Sequence, residues 1–241
     1  MLDLIASSIE AHGGLVRWNQ IKQISATFQP GGLALQLRGQ EAFSERPTRI
    51  TVDTGEQRTV FDPFLAPGQV GLFEPYRTAV ETPGGAILQE LANPRQSFAP
   101  DVPWSAPQLA YFAGYALWTY LTLPFSLLWA GIRCKEIDSW TEDGEVWRAV
   151  KVAFPPSYVT HSAEQVLYFD RSGLIRRHDY SVDIAAGSAA AHYLHDHQTF
   201  AGIVFPTRRR IHPRGPDGLP NKNVAIMAAD LSDFALSTTK R

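Results

Sequence analysis

The spacing of apolar and polar residues first changes period near residue 22. Before it, Leu2, Ile5, Ala6 and Ile9 recur at helical spacing. This predicts a helix over residues 2–12, stopped by Gly13-Gly14, because glycine accepts the left-handed cap conformation. Leu15, Trp18 and Ile21 predict a second helical turn. After it the period is two. Ile24, Ala26 and Phe28 alternate with polar neighbours, Pro30-Gly31-Gly32 turns the chain, and Leu33, Leu35 and Leu37 alternate again. The pattern predicts a β-hairpin, followed by strands at 41–45, 49–53 and 57–62. Between 63 and 107 prolines stand at 63, 67, 75, 83, 94, 100, 103 and 107. Proline cannot donate to a ladder, so loops with short helical turns are expected there, including one over 86–92.

Residues 106–132, APQLAYFAGYALWTYLTLPFSLLWAGI, carry no charge. The stretch is long enough to span a bilayer, yet it contains Tyr111, Tyr115, Tyr120, two threonines, Ser126 and a central Pro124. It reads instead as a buried helical hairpin broken near Pro124, with a membrane-surface lid as the other non-spanning option. Downstream, the alternation is regular. Segments 132–140 and 145–154 flank Glu142-Asp143-Gly144, segments 165–169 and 174–183 flank Asp170-Arg171-Ser172-Gly173, and segments 191–200 and 203–212 flank Ala201-Gly202. These are three predicted hairpins, and a last strand is expected at 224–230. No repeat or linker stands out, so 1–241 reads as one domain.

The chain has 241 residues, 44% of them hydrophobic, and a formal net charge of −2. That suffices for a large core and argues against a nucleic-acid partner, which calls for a basic excess. Arg208-Arg209-Arg210 lies in a strand pattern that sends alternate residues to opposite faces. The single Cys134 excludes an intramolecular disulfide. Asp3 and Glu10 interrupt the apolar start and no basic residue precedes it. No export signal is read, and a cytoplasmic location is the expectation.

The segments IEAHGGLVRWNQIKQISATF, YFDRSGLIRRHDY and HDHQTFAGIVFPTRRR together resemble the LolA/LolB group of lipoprotein-carrier-like domains, most strongly over residues 4–28 and 165–211. The resemblance implies a mainly β fold with α. It would be an incomplete antiparallel half-barrel with an N-terminal helix, the inserted helical segment (about 105–131) covering its concave face. Members of the group carry lipid acyl chains in an apolar cavity, and a few similar folds are enzymes on aromatic intermediates. The implied function is the binding or carrying of a hydrophobic small molecule or lipid, with transient membrane contact. The alternative is a cofactor-independent enzyme acting on a hydrophobic or aromatic metabolite in the same cavity.

The candidate residues follow. Trp104, Tyr111, Tyr115, Trp118 and Tyr120, with Tyr193, are candidate ligand-binding walls, since aromatic surfaces suit apolar ligands as well as cores. His178, Tyr180, His195 and His197 are candidate acid–base residues if the protein is an enzyme. The expected pairing of Ile184 with Ala191 sets Tyr180 opposite His195 and His178 opposite His197, all facing the cavity with Tyr193. Arg177, Asp179 and Asp196 would then face solvent. Such histidines more often belong to an ordinary strand face bonded to carboxylates or backbone. No HExxH or Cys/His spacing marks a metal site. GxSxG, phosphate-loop and GxGxxG motifs are absent, and no cofactor is expected. His161, in a THS context without an adjacent base, and His12 are weaker candidates.

Overall fold

A computed structural model describes residues 1–239. Its thirteen strands, all antiparallel to their neighbours, form one sheet. One wing comprises β1 (Gln23–Gly31), β2 (Thr48–Asp53), β3 (Thr59–Asp62), β4 (Val70–Glu74), β5 (Arg77–Glu81) and β6 (Ile87–Ala92). The other comprises β7 (Arg133–Glu142), β8 (Glu145–Ala153), β9 (Glu164–Phe169), β10 (Ile175–Val182), β11 (Ser188–Phe200), β12 (Ile203–Pro213) and β13 (Met227–Ser237). The spatial order runs β6 to β1, then β13 down to β7, so β6 and β7 are edges and the sheet is an open half-barrel.

Four helices accompany it: α1 (Asp3–Ala11), α2 (Leu15–Trp18), α3 (Leu33–Leu37) and α4 (Ala106–Thr122). Ser105 starts α4 with a reciprocal cap: its Oγ accepts from the Gln108 amide at 3.4 Å, and its own amide donates to Gln108 Oε1 at 2.8 Å. The helix is apolar all round and buried on nearly every side, as such a sequence requires. It lies in the concave face, as expected. At 17 residues it is not long and apolar enough to cross a membrane, nor is any other described helix. After Pro124 the chain makes only a 3-10 turn, Phe125–Leu128, rather than the second arm of a helical hairpin.

Three local expectations are corrected. Leu33–Leu37 is helix α3 and not a strand, because β1 is already paired on both sides, by β2 and β13, and has no free edge for a hairpin partner. Gly32, at φ 111°, lets the chain leave β1; a Cβ there would sit 2.5 Å from Met227 Cα. Residues 41–44 form a 3-10 turn. The proline-rich stretch holds β4, β5 and β6, with its prolines outside those strands and 87–92 extended rather than helical.

The convex face of the second wing carries a buried ion network. Arg177 donates to both oxygens of Asp179 (2.7 and 2.8 Å), to Glu142 Oε2 (2.9 Å) and to the Gly218 carbonyl (2.6 Å). Its guanidinium lies 5.0 Å from the Trp140 ring, 5.1 Å from Tyr168 and 5.5 Å from Tyr193. The loop after β12 is thereby tied across the outside of the sheet. Arg177 and Asp179 do face away from the cavity, but they are buried and not solvated.

Candidate functional site

Between α4 and the sheet lies a cavity of about 380 Å³, at the small end of the ~300–1,000 Å³ range for ligand pockets. Its walls come from Phe28 on β1, Leu35 and Leu37 on α3, Phe43, Leu117 on α4, and Ile211 and Met227 on β12 and β13. Leu37 lines it and is also 61% exposed, which puts α3 at the mouth. Tyr120, His161 and Tyr180 give part of the wall its polar groups.

Those three side chains form one hydrogen-bonded unit, reached from three distant parts of the chain. His161 Nε2 lies 2.9 Å from Tyr120 Oη, and Nδ1 lies 3.3 Å from Tyr115 Oη. Tyr120 Oη is 2.9 Å from Tyr180 Oη. Around them, His178 Nε2 sits 2.5 Å from Gln165 Oε1, and the His192 ring lies 4.5 Å from that of Tyr120. Burial holds His161 and His192 well below the usual imidazole range and His178 at about 3, so all three are neutral near pH 7. Burial likewise raises Tyr120 to about 12, against the bond from Tyr180 and the charge of Arg209. Both tyrosines are therefore protonated donors.

Arg209 enters this region from β12. Its Nη2 donates to the Tyr120 carbonyl at 2.8 Å, its guanidinium lies 4.9 Å from the Tyr120 ring, and Nη1 is 3.5 Å from His192 Nε2. It is 1% exposed, and no carboxylate among the described residues is paired with it. Burial lowers its basicity to about 10, which leaves it charged at neutral pH. Its Nε and His192 Nδ1 have no hydrogen-bond partner.

The expected register is displaced. Asp183–Ala185 is a 3-10 turn and Ala186 takes φ 55°, so the loop closes early and Val182 pairs with Ser188. Tyr180 then faces Ala190 and His178 faces His192, a slip of five residues that reverses the parity of β11. His178 and Tyr180 point to the concave side as expected, joined by His192 in place of His195. His195 stacks on Tyr193 on the convex side, with ring planes 11° apart. His197 instead meets His12, with ring centroids 6.4 Å apart, and bonds the Ile175 carbonyl at 3.1 Å. Asp196, at φ 54°, breaks the alternation between them. The four expected acid–base residues thus divide among three places. The arginine triplet alternates as its strand pattern predicts: Arg209 points in, while Arg208 and Arg210 bond Asp196 and Asp230.

Of the aromatic candidates, Trp104 and Tyr120 line the cavity. Tyr115 stands behind His161, and Tyr111 packs against Phe73 and Phe98. Trp118 is structural, donating at 2.7 Å to the carbonyls of both Asp53 and Glu56. Tyr193, expected at the cavity, belongs to the convex network and donates to Glu142 at 2.6 Å. Among the described residues no cluster of three His, Cys, Asp or Glu side chains is placed to hold a metal.

The fold is that of the LolA-like open half-barrels. A LolA superfamily protein from Nitrosomonas europaea superposes with a TM-score of 0.54 at 14% identity, covering 98% of this chain and 92% of that one. A domain from Vibrio parahaemolyticus proposed to sort outer-membrane lipoproteins gives 0.58 at 10% identity, covering 99% and 93%. A DUF1329 family protein from Desulfovibrio piger gives 0.54 at 12% identity, covering 99% and 92%. No family model and no curated protein matches the sequence.

Proposed function

We propose that this protein binds a hydrophobic small molecule or lipid in the cavity between α4 and the sheet. The carrying observation is the cavity itself: about 380 Å³, walled mainly by aliphatic and aromatic side chains, with a buried polar group formed by Tyr120, His161 and Tyr180 in one part of the wall and Arg38, Asp101 and Ser188 elsewhere in the lining. Apolar walls supply affinity and a few convergent polar groups set orientation. The lipoprotein-sorting role proposed for the Vibrio domain of the same fold is in keeping with this reading. Leu33 and Leu37, 41% and 61% exposed beside the mouth, suit transient contact with a membrane during loading.

The test is mass spectrometry of whatever co-purifies with the native protein, followed by titration with a panel of lipids, terpenoids and polyketides. A binder of the folded state must raise the melting temperature, and its apolar burial gives a negative heat-capacity change. A panel that leaves the melting temperature unmoved overturns the proposal.

One observation favours a second reading, a cofactor-independent enzyme. In the tautomer that carries its proton on Nδ1 and bonds Tyr115 through it, neutral His161 has a free Nε2 lone pair facing Tyr120 and can accept a proton through that phenol. Turnover of a bound aromatic metabolite that is lost in His161→Gln, with binding retained, would establish it.

A further inference from the structure

Arg209 is a buried guanidinium without a counter-charge, and its surroundings set it one layer behind the cavity wall. Ile211, two residues along the same strand, and Ala229, its partner across the β12–β13 ladder, both line the cavity. Residues so related share one face of a sheet. The ring of Tyr120, itself a lining residue, fills the remaining side, 4.9 Å from the guanidinium. One phenol ring thus stands between the charge and the cavity.

The neighbours add no negative charge. His161, His178 and His192 are buried, and Tyr120 and Tyr180 are buried phenols. An ion held in such a place without a partner is strongly disfavoured. The hydrogen-bond chain offers a route to compensation. If Tyr115 donates to His161 Nδ1, then His161 Nε2–H donates to Tyr120, Tyr120 donates to Tyr180, and the Tyr180 hydroxyl proton is left free. In that arrangement the unit presents a donor to an acceptor in the cavity, in the field of a buried cation.

From this geometry we infer that the ligand is an amphiphile with an anionic head, received by Tyr180 and Tyr120 with Arg209 behind them, its apolar tail running towards α3. The inference rests on the binding function proposed above and specifies its ligand class. A carboxylate and a phosphate monoester share the required chemistry.

The experiment uses the full chain at pH 8 and isothermal titration with tetradecanoate, tetradecyl phosphate, methyl tetradecanoate and tetradecanol, all below their aggregation concentrations. The anions are expected to bind at least tenfold more tightly than ester and alcohol, and the stronger anion identifies the head. In Arg209→Met that ratio is expected to fall towards one, while the melting temperature of the unliganded protein holds or rises because an unpaired buried charge has been removed. Tyr180→Phe should reduce the ratio as well. Equal affinity for anion and ester in the wild-type protein overturns the inference and leaves hydrophobe binding intact. So does a preference that survives Arg209→Met but is lost in Arg38→Met, which would put the head at the mouth. Absence of binding by all four compounds overturns the inference, and the binding function falls with it only if the wider panel of lipids, terpenoids and polyketides also leaves the melting temperature unmoved. Should Arg209→Met fail to fold, the wild-type ratio and Tyr180→Phe still decide.

Discussion

The imidazole of His161 lies flat on the phenol ring of Tyr180, ring centroids 3.9 Å apart and planes inclined by only 4°. Both groups bond the same atom, Tyr120 Oη, at 2.9 Å. Stacking fixes the plane of the imidazole and the two bonds fix its rotation, so the polar wall is rigid. Removing the hydroxyl in Tyr180→Phe keeps the stack and loses one buried bond, for an expected cost of about 1 kcal/mol. Urea denaturation measures it. Long-range nitrogen–proton NMR should show His161 neutral while an ordinary histidine titrates near 6.5.

Stability should fall in mild acid. Burial holds His12 at about 4 and His178 at about 3, whereas both return to 6.5 in the unfolded chain. Above 6.5 neither state is protonated and their contribution is complete. Between 6.5 and about 4 only the unfolded chain takes up the protons. Each histidine then removes about 1.4 kcal/mol per pH unit. Guanidinium unfolding at stepped pH tests this. His178→Gln, which can still bond Gln165, should lower the slope by one such increment, and an unchanged slope would refute the assignment.

Gly114 sets the distance between α4 and the first wing. A Cβ there would lie 2.2 Å from Phe73 Cβ, and the Gly114 carbonyl accepts from Thr59 Oγ1 at 2.9 Å. Alanine has the higher helix propensity by about 1 kcal/mol, so an exposed glycine would gain from the change. Gly114→Ala should instead destabilise, by at least the ~1–3 kcal/mol typical of overpacking. On the proposed binding function, lifting the helix should also weaken uptake of an apolar ligand. Gly114→Ala stability at or above wild type would contradict this packing.

Arg177→Ala should be far more damaging than removal of a surface charge. It leaves Asp179, 4% exposed, without its bidentate partner. Breaking a buried pair from one side costs roughly 3–5 kcal/mol. Arg177→Met with Asp179→Leu should recover part of the loss, because the orphaned carboxylate goes with its partner. Thermal melts of the single and double variants give the comparison.

The regular C-terminal hairpins and the inward course of 106–122 were legible because period and absence of charge report burial directly. Leu33, Leu35 and Leu37 misled because alternation says nothing of whether a neighbouring edge is free. The short strands of 70–92 were hidden because each is bounded by the prolines that argued against ladders. Residue type and parity picked out Trp104, Tyr120 and Tyr180, which line the cavity, and His178, whose ring lies against Tyr180. His195 and Tyr193 were misplaced by one loop, since a left-handed Ala186 and an early turn leave no mark in composition. His161 and Arg209 became meaningful only in three dimensions: the His161 partners Tyr120 and Tyr115 are 41 and 46 residues away, and the Arg209 distinction is a missing carboxylate.

The final described strand, Met227–Ser237, is inserted at the middle of the sheet, between β1 and β12, and Met227, Ala228 and Ala229 are part of the cavity wall. During synthesis each wing can zip its own neighbouring strands, since those pairings are local in sequence, whereas the seam joining Gln23–Gly31 to Met227–Ser237 is among the most distant in the chain. The chamber therefore gains its last wall only after residues 227–237 have been made. A nascent chain lacking those residues would present two half-sheets with a greasy gap between them. A chain cut near residue 226 would therefore leave the apolar residues of both wings uncovered along that seam.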